Sequence, residues 1–396
     1  MSAAAMPRVR ERWRMSVEAR ALVLVTATLL AFGLAVLYSA SAIVAVRDLK
    51  PGTFYLTRQL SGVVVGLVAF AVAAKMDAGK WEKWAWPLMG ITLLLLLVIV
   101  LPFTTSIAPR INGSRRFLLG ASLQPSELGK LAVIAWTAML AVKKGDQLRR
   151  LTKGLVPFLV VLGALNLLVF LEPDLSVAMM YTLMMGVILF AAGARIGHFV
   201  LLAILGIPLL WNQIEEKQYA LLRMVAFFNP GAEGQAVQSS VNHQLFQSLV
   251  AVGSGGVSGV GFGEGRQQIG FVPFNYNDFI GSTVGEEFGF LGMTFLILAF
   301  ALYAWLGFRI ARQARSKFLQ LVAVGLTFTL VLTAFLHLGV VIGLLPTTGL
   351  TLPFVSYGRS NLVLSLFMTG LLVNIGSVRE RVYGEGATDP LAAPPA

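Results

Sequence analysis

Long apolar runs, broken at intervals by short polar clusters, set the pattern of this chain. About 20 residues of helix are needed to cross a bilayer core, so runs of this length predict membrane-spanning helices. Their positions predict ten: 21–43, 54–75, 84–103, 127–143, 154–171, 174–193, 196–213, 280–308, 318–345 and 352–376. No ten-residue alternation of apolar and polar positions suggests a barrel. The fourth run has the weakest pattern, being short and carrying Lys130. The first follows five arginines (Arg8, Arg10, Arg12, Arg14, Arg20) and ends in small residues, Ser39-Ala40-Ser41-Ala42, as a signal peptide does. It is long enough to span and nine spans follow it, so it reads as an uncleaved first helix.

The polar positions orient these helices. Of the 31 Lys and Arg residues, 20 fall at the N-terminus, in 75–83, 143–153 and 309–317, at Arg195 and at 379–381, all on one face. The positive-inside bias makes that face cytoplasmic and puts both termini there, in the cytoplasmic (inner) membrane. The fold class is therefore an all-α polytopic membrane protein. A basic segment, 1–20, leads into one ten-helix unit, 21–376, whose large outer loop spans 214–279. The tail, 377–396, is expected to be cytoplasmic and disordered, being small and Pro-rich from Gly384.

Composition adds two exclusions. Residues are 57% hydrophobic and 13% charged, about half the charge of a soluble protein. The net charge of +12 follows from the positive-inside bias, so no nucleic-acid partner is expected. With no cysteine there is no disulfide, thiolate nucleophile or Cys-ligated metal.

The informative charges break the topological bias. Arg110, Arg115 and Arg116 lie in outer loop 104–126, and Lys217, Arg223 and Arg266 in outer loop 214–279. Arg58, Lys130 and Arg359 lie within or at the ends of helices. Binding an anion is the simplest task for misplaced cations, and adjacent arginines present forked donors suited to phosphate. Phe117, next to them, could bury against lipid or a sugar face.

Carboxylates in an apolar chain are costly and point to function. Asp278 stands where the long loop meets a helix, as a general base toward a sugar hydroxyl or as that helix's cap. Glu286 and Glu287 follow two turns later; being consecutive, they point about 100° apart, and one is expected to pair with Arg58 or Lys130. Glu127 and Lys130, at i,i+3, read as a buried pair that holds its helix. Asp174, in the turn Glu172-Pro173-Asp174, reads as a helix cap. The glycine-rich run 253–263 lacks a dinucleotide-binding context and reads equally as packing or as close approach to a headgroup. Residues 343–360 hold two prolines and three glycines, with Ser356 and Arg359, so irregular backbone there should line protein or a water-filled cavity. His198, His243 and His337 have no metal-ligand spacing.

Taken together these motifs resemble the shape, elongation, division and sporulation family of membrane proteins, which includes RodA, FtsW and SpoVE. The matching pieces are Tyr38-Ser39-Ala40-Ser41, Arg58-Gln59, NGSRRF (112–117), LQPSELGKLA (123–132), Pro173-Asp174, FQSLVAVGSGGVSGVGFG (246–263), NDFI (277–280), GEEFGFLG (285–292) and GLLPTTGLTLPFVSYGRS (343–360). They follow family order across nearly the whole chain, and Gly349-Leu350-Thr351-Leu352-Pro353 resembles the FtsW branch more than RodA. Departures are Phe274 for a usual glutamate, Phe117 for tryptophan, His337 for asparagine and Arg359 within a glycine pair.

The resemblance implies a peptidoglycan glycosyltransferase that polymerises lipid II at the outer membrane face for division or elongation. It implies as partners a class B penicillin-binding protein, the transpeptidase, and other divisome or elongasome membrane proteins. The family's essential loop aspartate falls on Asp278, and its supporting pair on Glu127 and Lys130. Arg115, Arg116 and Arg223 would hold the donor pyrophosphate; Phe117, Ser356 and Arg359 would line the substrate cavity; Glu286, Glu287 and Arg58 would support it. No cofactor is assigned, though a divalent cation, Mg2+ or Mn2+, could assist the pyrophosphate. The alternative is a lipid II flippase, which should place polar sites at the bilayer midplane and carry internal repeats.

Overall fold

The computed structural model describes residues 9–101, 115–116, 118, 124–216, 218–228, 240–267 and 275–383. Each predicted apolar run is helical: α1 (Val17–Arg47), α2 (Phe54–Lys75), α3 (Lys80–Val100), α4 (Pro125–Lys144), α5 (Val156–Leu171), α6 (Leu175–Ala192) and α7 (Ile196–Glu216). The long outer loop holds two short helices, α8 (Gln218–Phe228) and α9 (Ser240–Ser254), before α10 (Ile280–Arg312), α11 (Lys317–Val341) and α12 (Arg359–Ile375). Among the described residues eight helices are long and apolar enough to cross a membrane, and Ile196–Pro208 and Arg359–Ile375 form two shorter apolar ones. The last helix starts at Arg359 rather than near 352 because the segment before it cannot wind: Pro353 lies there and Phe354 sits at φ +66°.

Two strands, β1 (Val9–Met15) and β2 (Ser377–Tyr383), pair antiparallel and bring both ends of the bundle to one face. The start of the tail is thus ordered against the N-terminal segment, which corrects the expectation of a wholly disordered tail. Register sets Glu11 opposite Arg381 and Arg12 opposite Glu380.

α4 is the axis of the bundle. Its side chains from Leu131 to Ala141 are all buried, with Trp136 edge-on to Trp86 and Phe158 at 5.5 and 5.6 Å. A helix enclosed by protein need not be apolar on every face, which is why this one has the weakest hydrophobic pattern. Gly129 lets α6 approach: a methyl group there would lie 2.0 Å from the Tyr181 hydroxyl oxygen. That hydroxyl donates to the Ser126 carbonyl at 2.7 Å.

α10 breaks at Gly289, whose φ is +60°. The glycine-rich run fills the break. Val260 and Gly261 N–H donate to the Glu286 and Glu287 carbonyls at 3.0 and 3.1 Å, and Phe290 and Leu291 N–H donate to Gly256 and Val257 at 2.9 and 3.1 Å. At Gly259 (φ +83°) a Cβ would stand 2.1 Å from the Glu287 carbonyl oxygen. These glycines therefore serve packing: they knot the loop into a broken helix whose freed backbone groups must be satisfied inside the protein.

Candidate active site

Asp278 precedes the first turn of α10, at the end of the bundle opposite the β1–β2 ribbon. Phe279 is the N-cap of that helix and no side chain caps it, so the capping reading of Asp278 is not realised. Among the described residues no ion pair engages the Asp278 carboxylate, and only burial and three neighbouring charges act on it. Burial pushes the carboxyl up to about 6, against the pull of the Arg223 and Arg116 guanidiniums and with a push from Asp174. A base with that affinity for a proton is half-ionised close to neutrality.

The three charges come from three elements. Arg223, on α8, donates through Nη1 to the Thr347 carbonyl at 2.9 Å. Gly349 (φ +72°) leaves room between them: a Cβ there would lie 3.7 Å from Arg223 Nη2 and 3.8 Å from Asp278 Oδ2. Arg116 ion-pairs with Asp174 at 3.3 Å and donates to the Pro173 carbonyl at 2.6 Å. Asp174 also caps α6, accepting the Val177 N–H at 3.2 Å. Its capping role is therefore real, and the same carboxylate holds Arg116 beside Asp278. Ser176, two residues on, donates to the Thr348 carbonyl at 2.5 Å and ties this turn to the segment 347–349.

Other sequence-derived candidates lie elsewhere. Arg115 turns away and donates to the Leu101 carbonyl at 3.2 Å, at the end of α3. Ser356 is buried, and its hydroxyl accepts the Leu352 N–H and donates to the Asn277 carbonyl. Arg359 is exposed and lies along α2, its Cγ 3.1 Å from a Cβ built at Gly62. Glu286 accepts the Arg266 and Gln267 N–H groups at 2.7 and 3.0 Å, and Glu287 accepts from the Ser39 hydroxyl. The expected pairing with Arg58 or Lys130 is corrected: Lys130 bonds Glu127 at 2.7 Å, and exposed Arg58 stacks over Phe54 at 4.7 Å. Both glutamates instead fasten the knot and α1 around the α10 break. Arg110, Phe117, Lys217 and Phe274 lie outside the described residues.

Sequence reasoning passed over Glu172. It is 2% exposed, and neither carboxylate oxygen has a hydrogen-bond partner. Burial, helped by Asp174 and opposed by Arg116, pushes it up to about 8. The signal was an acid on each side of Pro173 at a helix junction. A carboxyl whose affinity for protons is higher folded than unfolded costs stability progressively as pH rises from its ordinary 4.5 through about 8. Glu172→Gln should therefore raise the melting temperature at alkaline pH and leave it unchanged near pH 4.5, in paired melts. An equal shift at both pH values would contradict a neutral Glu172.

Among the described residues no three His, Asp or Glu side chains group as metal ligands, and Asp174 is already paired. No step below passes through a cation.

Comparison with known proteins follows the same geometry. A family model described as cell cycle protein, of the FtsW, RodA and SpoVE type, matches residues 20–381. The chain is 35% identical over 371 residues to the probable peptidoglycan glycosyltransferase FtsW of Trichlorobacter lovleyi, covering 93% of this chain and 96% of that one. It superposes with TM-score 0.73 and 26% identity on a chain solved in work on "structural coordination of polymerization and crosslinking by a peptidoglycan synthase complex", covering 90% and 97%. The rod shape determining protein RodA of Thermus thermophilus gives TM-score 0.63 at 26% identity, covering 90% and 95%.

Proposed function

The chain belongs to the FtsW/RodA/SpoVE family and is a multi-pass membrane peptidoglycan glycosyltransferase, and we propose that it builds glycan strands from lipid II with Asp278 as general base. The observation that supports the assignment of the base is the Asp278 carboxylate, engaged by no ion pair among the described residues and pushed up to about 6 by burial beside two guanidiniums. The GlcNAc 4-hydroxyl of an acceptor attacks the MurNAc anomeric carbon of a donor. Asp278 takes the hydroxyl proton as the new C–O bond forms. The bond to the pyrophosphate oxygen breaks, its electron pair leaves with undecaprenyl pyrophosphate, and the α-linked donor becomes a β-1,4 product.

Arg223 and Arg116 supply fixed positive charge as the pyrophosphate leaves, which is where preorganised electrostatics contributes most. The Thr347 and Pro173 carbonyls accept from them, and Arg116 is also ion-paired with Asp174. Both termini lie on the cytoplasmic face in this reading, and the site faces outward. A class B penicillin-binding protein is the proposed cross-linking partner; the FtsW-named relative favours a division role.

Purified protein given labelled lipid II, with and without its cognate transpeptidase, should yield long glycan chains. If no polymer forms even with the partner, while lipid II crosses liposome bilayers, the transporter reading replaces this one.

A further inference from the structure

Among the described residues no side chain bonds the Asp278 carboxylate, so its place depends on the backbone around it. The two carbonyls immediately before it are both gripped by the turn 356–358. The Ser356 hydroxyl donates to Asn277 at 2.8 Å, and the Tyr357 N–H donates to Tyr276 at 2.9 Å. Ser356 Oγ in turn accepts the Leu352 N–H at 2.8 Å, so this one hydroxyl joins two chain segments.

The turn is itself seated on α2. Gln59, 1% exposed, uses both ends of its amide there: Nε2 donates to the Ser356 carbonyl at 3.1 Å, and Oε1 accepts the Gly358 N–H at 3.2 Å. One helical turn earlier, on the same face, Tyr55 packs on Tyr276 and Tyr357 with ring centroids 4.6 and 5.3 Å apart. Beyond Asp278, the Gly281 N–H donates to His337 Nε2 at 3.3 Å while His337 Nδ1 donates to the Leu350 carbonyl at 2.8 Å. Before it, the Asn275 amide donates to the Ala40 carbonyl at 2.9 Å.

We propose that Ser356 and Gln59 are positioning residues for the glycosyl transfer, a relay from α2 through the 356–358 turn that fixes the base at Asp278. The proposal rests on the glycosyltransferase reading and assigns these two side chains no contact with substrate. A displacement of the base by about 1 Å can cost about 10²-fold in rate. Gln59 is a polar group buried in a spanning helix, and a packing role alone would not require both ends of its amide to meet the same turn.

The test is steady-state polymerisation of labelled lipid II by the full-length chain with its partner. Ser356→Ala should lower kcat by about 10- to 100-fold with little change in KM. Ser356→Thr, which keeps the hydroxyl, should restore most of it. Gln59→Met, apolar and of similar length, should repeat the kcat loss and serves if the serine variant folds poorly. The decisive readout is non-additivity: in an Asp278→Asn background neither substitution should lower the residual rate further. Additive losses in both backgrounds, or an unchanged kcat in well-folded Ser356→Ala and Gln59→Met, would overturn the proposal and leave the glycosyltransferase standing. A wild-type chain that forms no polymer takes both down.

Discussion

Asp278→Ala should reduce lipid II polymerisation by about 10²–10⁴-fold, the usual contribution of a positioned general base. The loss should fall on kcat, because an aspartate that acts on the attacking hydroxyl works in the transition state and contributes little to ground-state binding. The variant should fold at least as well as the parent. Burial holds the Asp278 carboxyl at about 6, above its ordinary 3.8, so folding becomes less favourable as pH rises between those values. Removing the group removes that cost. A protein that becomes inert yet no less stable is the signature of a side chain kept for chemistry.

The same group sets a pH dependence. The base works only when ionised, so the wild-type rate should rise with pH and level off above about 6, and fall roughly tenfold for each unit below it. Arg223→Ala removes the stronger of the two pulls that hold this carboxyl down, so the acid limb should move to higher pH. A limb that stayed in place in Arg223→Ala, or that survived in Asp278→Ala, would assign it to another group. Equal polymerisation by wild type and Asp278→Ala would keep the enzyme and remove its base.

Much of this arrangement was legible in the sequence, for reasons that differ by element. Apolar runs locate spanning helices because the bilayer demands both length and an unbroken hydrogen-bonded backbone. Lys130 blurred the fourth because α4 is surrounded by protein, and hydropathy measures fitness for lipid. The short helices α8 and α9 were read as loop, since mixed polar segments of 11 and 15 residues owe their winding to tertiary packing. Asp278 and Arg223 could be picked out as charges that break topology, yet their meeting at Gly349 joins residues far apart in the chain. Glu287 finds Ser39 across 248 positions, and Gln59 finds Ser356 across 297. No local periodicity encodes such partners, which is why neither Arg58 nor Lys130 proves to be the partner of Glu286 or Glu287, while the i,i+3 pair of Glu127 and Lys130 is legible in the sequence.

Lys130→Met should be the most damaging single change to the fold. Lys130 Nζ lies 2.7 Å from Glu127 Oε1, with side chains only 5% and 14% exposed. Removing the cation leaves a carboxylate in the enclosed core of α4, at a cost of about 3–5 kcal/mol. The surroundings make this worse: Glu172 and Asp174 lie, with Glu127, within electrostatic reach of Tyr181, and Arg116 is already held by Asp174. The loss should appear as a large fall in melting temperature and in monodisperse yield from detergent. Glu127→Gln with Lys130→Met should recover most of it, because a neutral pair has no stranded charge. That double variant also separates support from chemistry. Recovered stability with recovered polymerisation makes the pair a brace for α4. Recovered stability without polymerisation would place Glu127 or Lys130 in the proton transfers beside Asp278. The brace is the expected result, because the charges that act on Asp278 come from Arg223, Arg116 and Asp174.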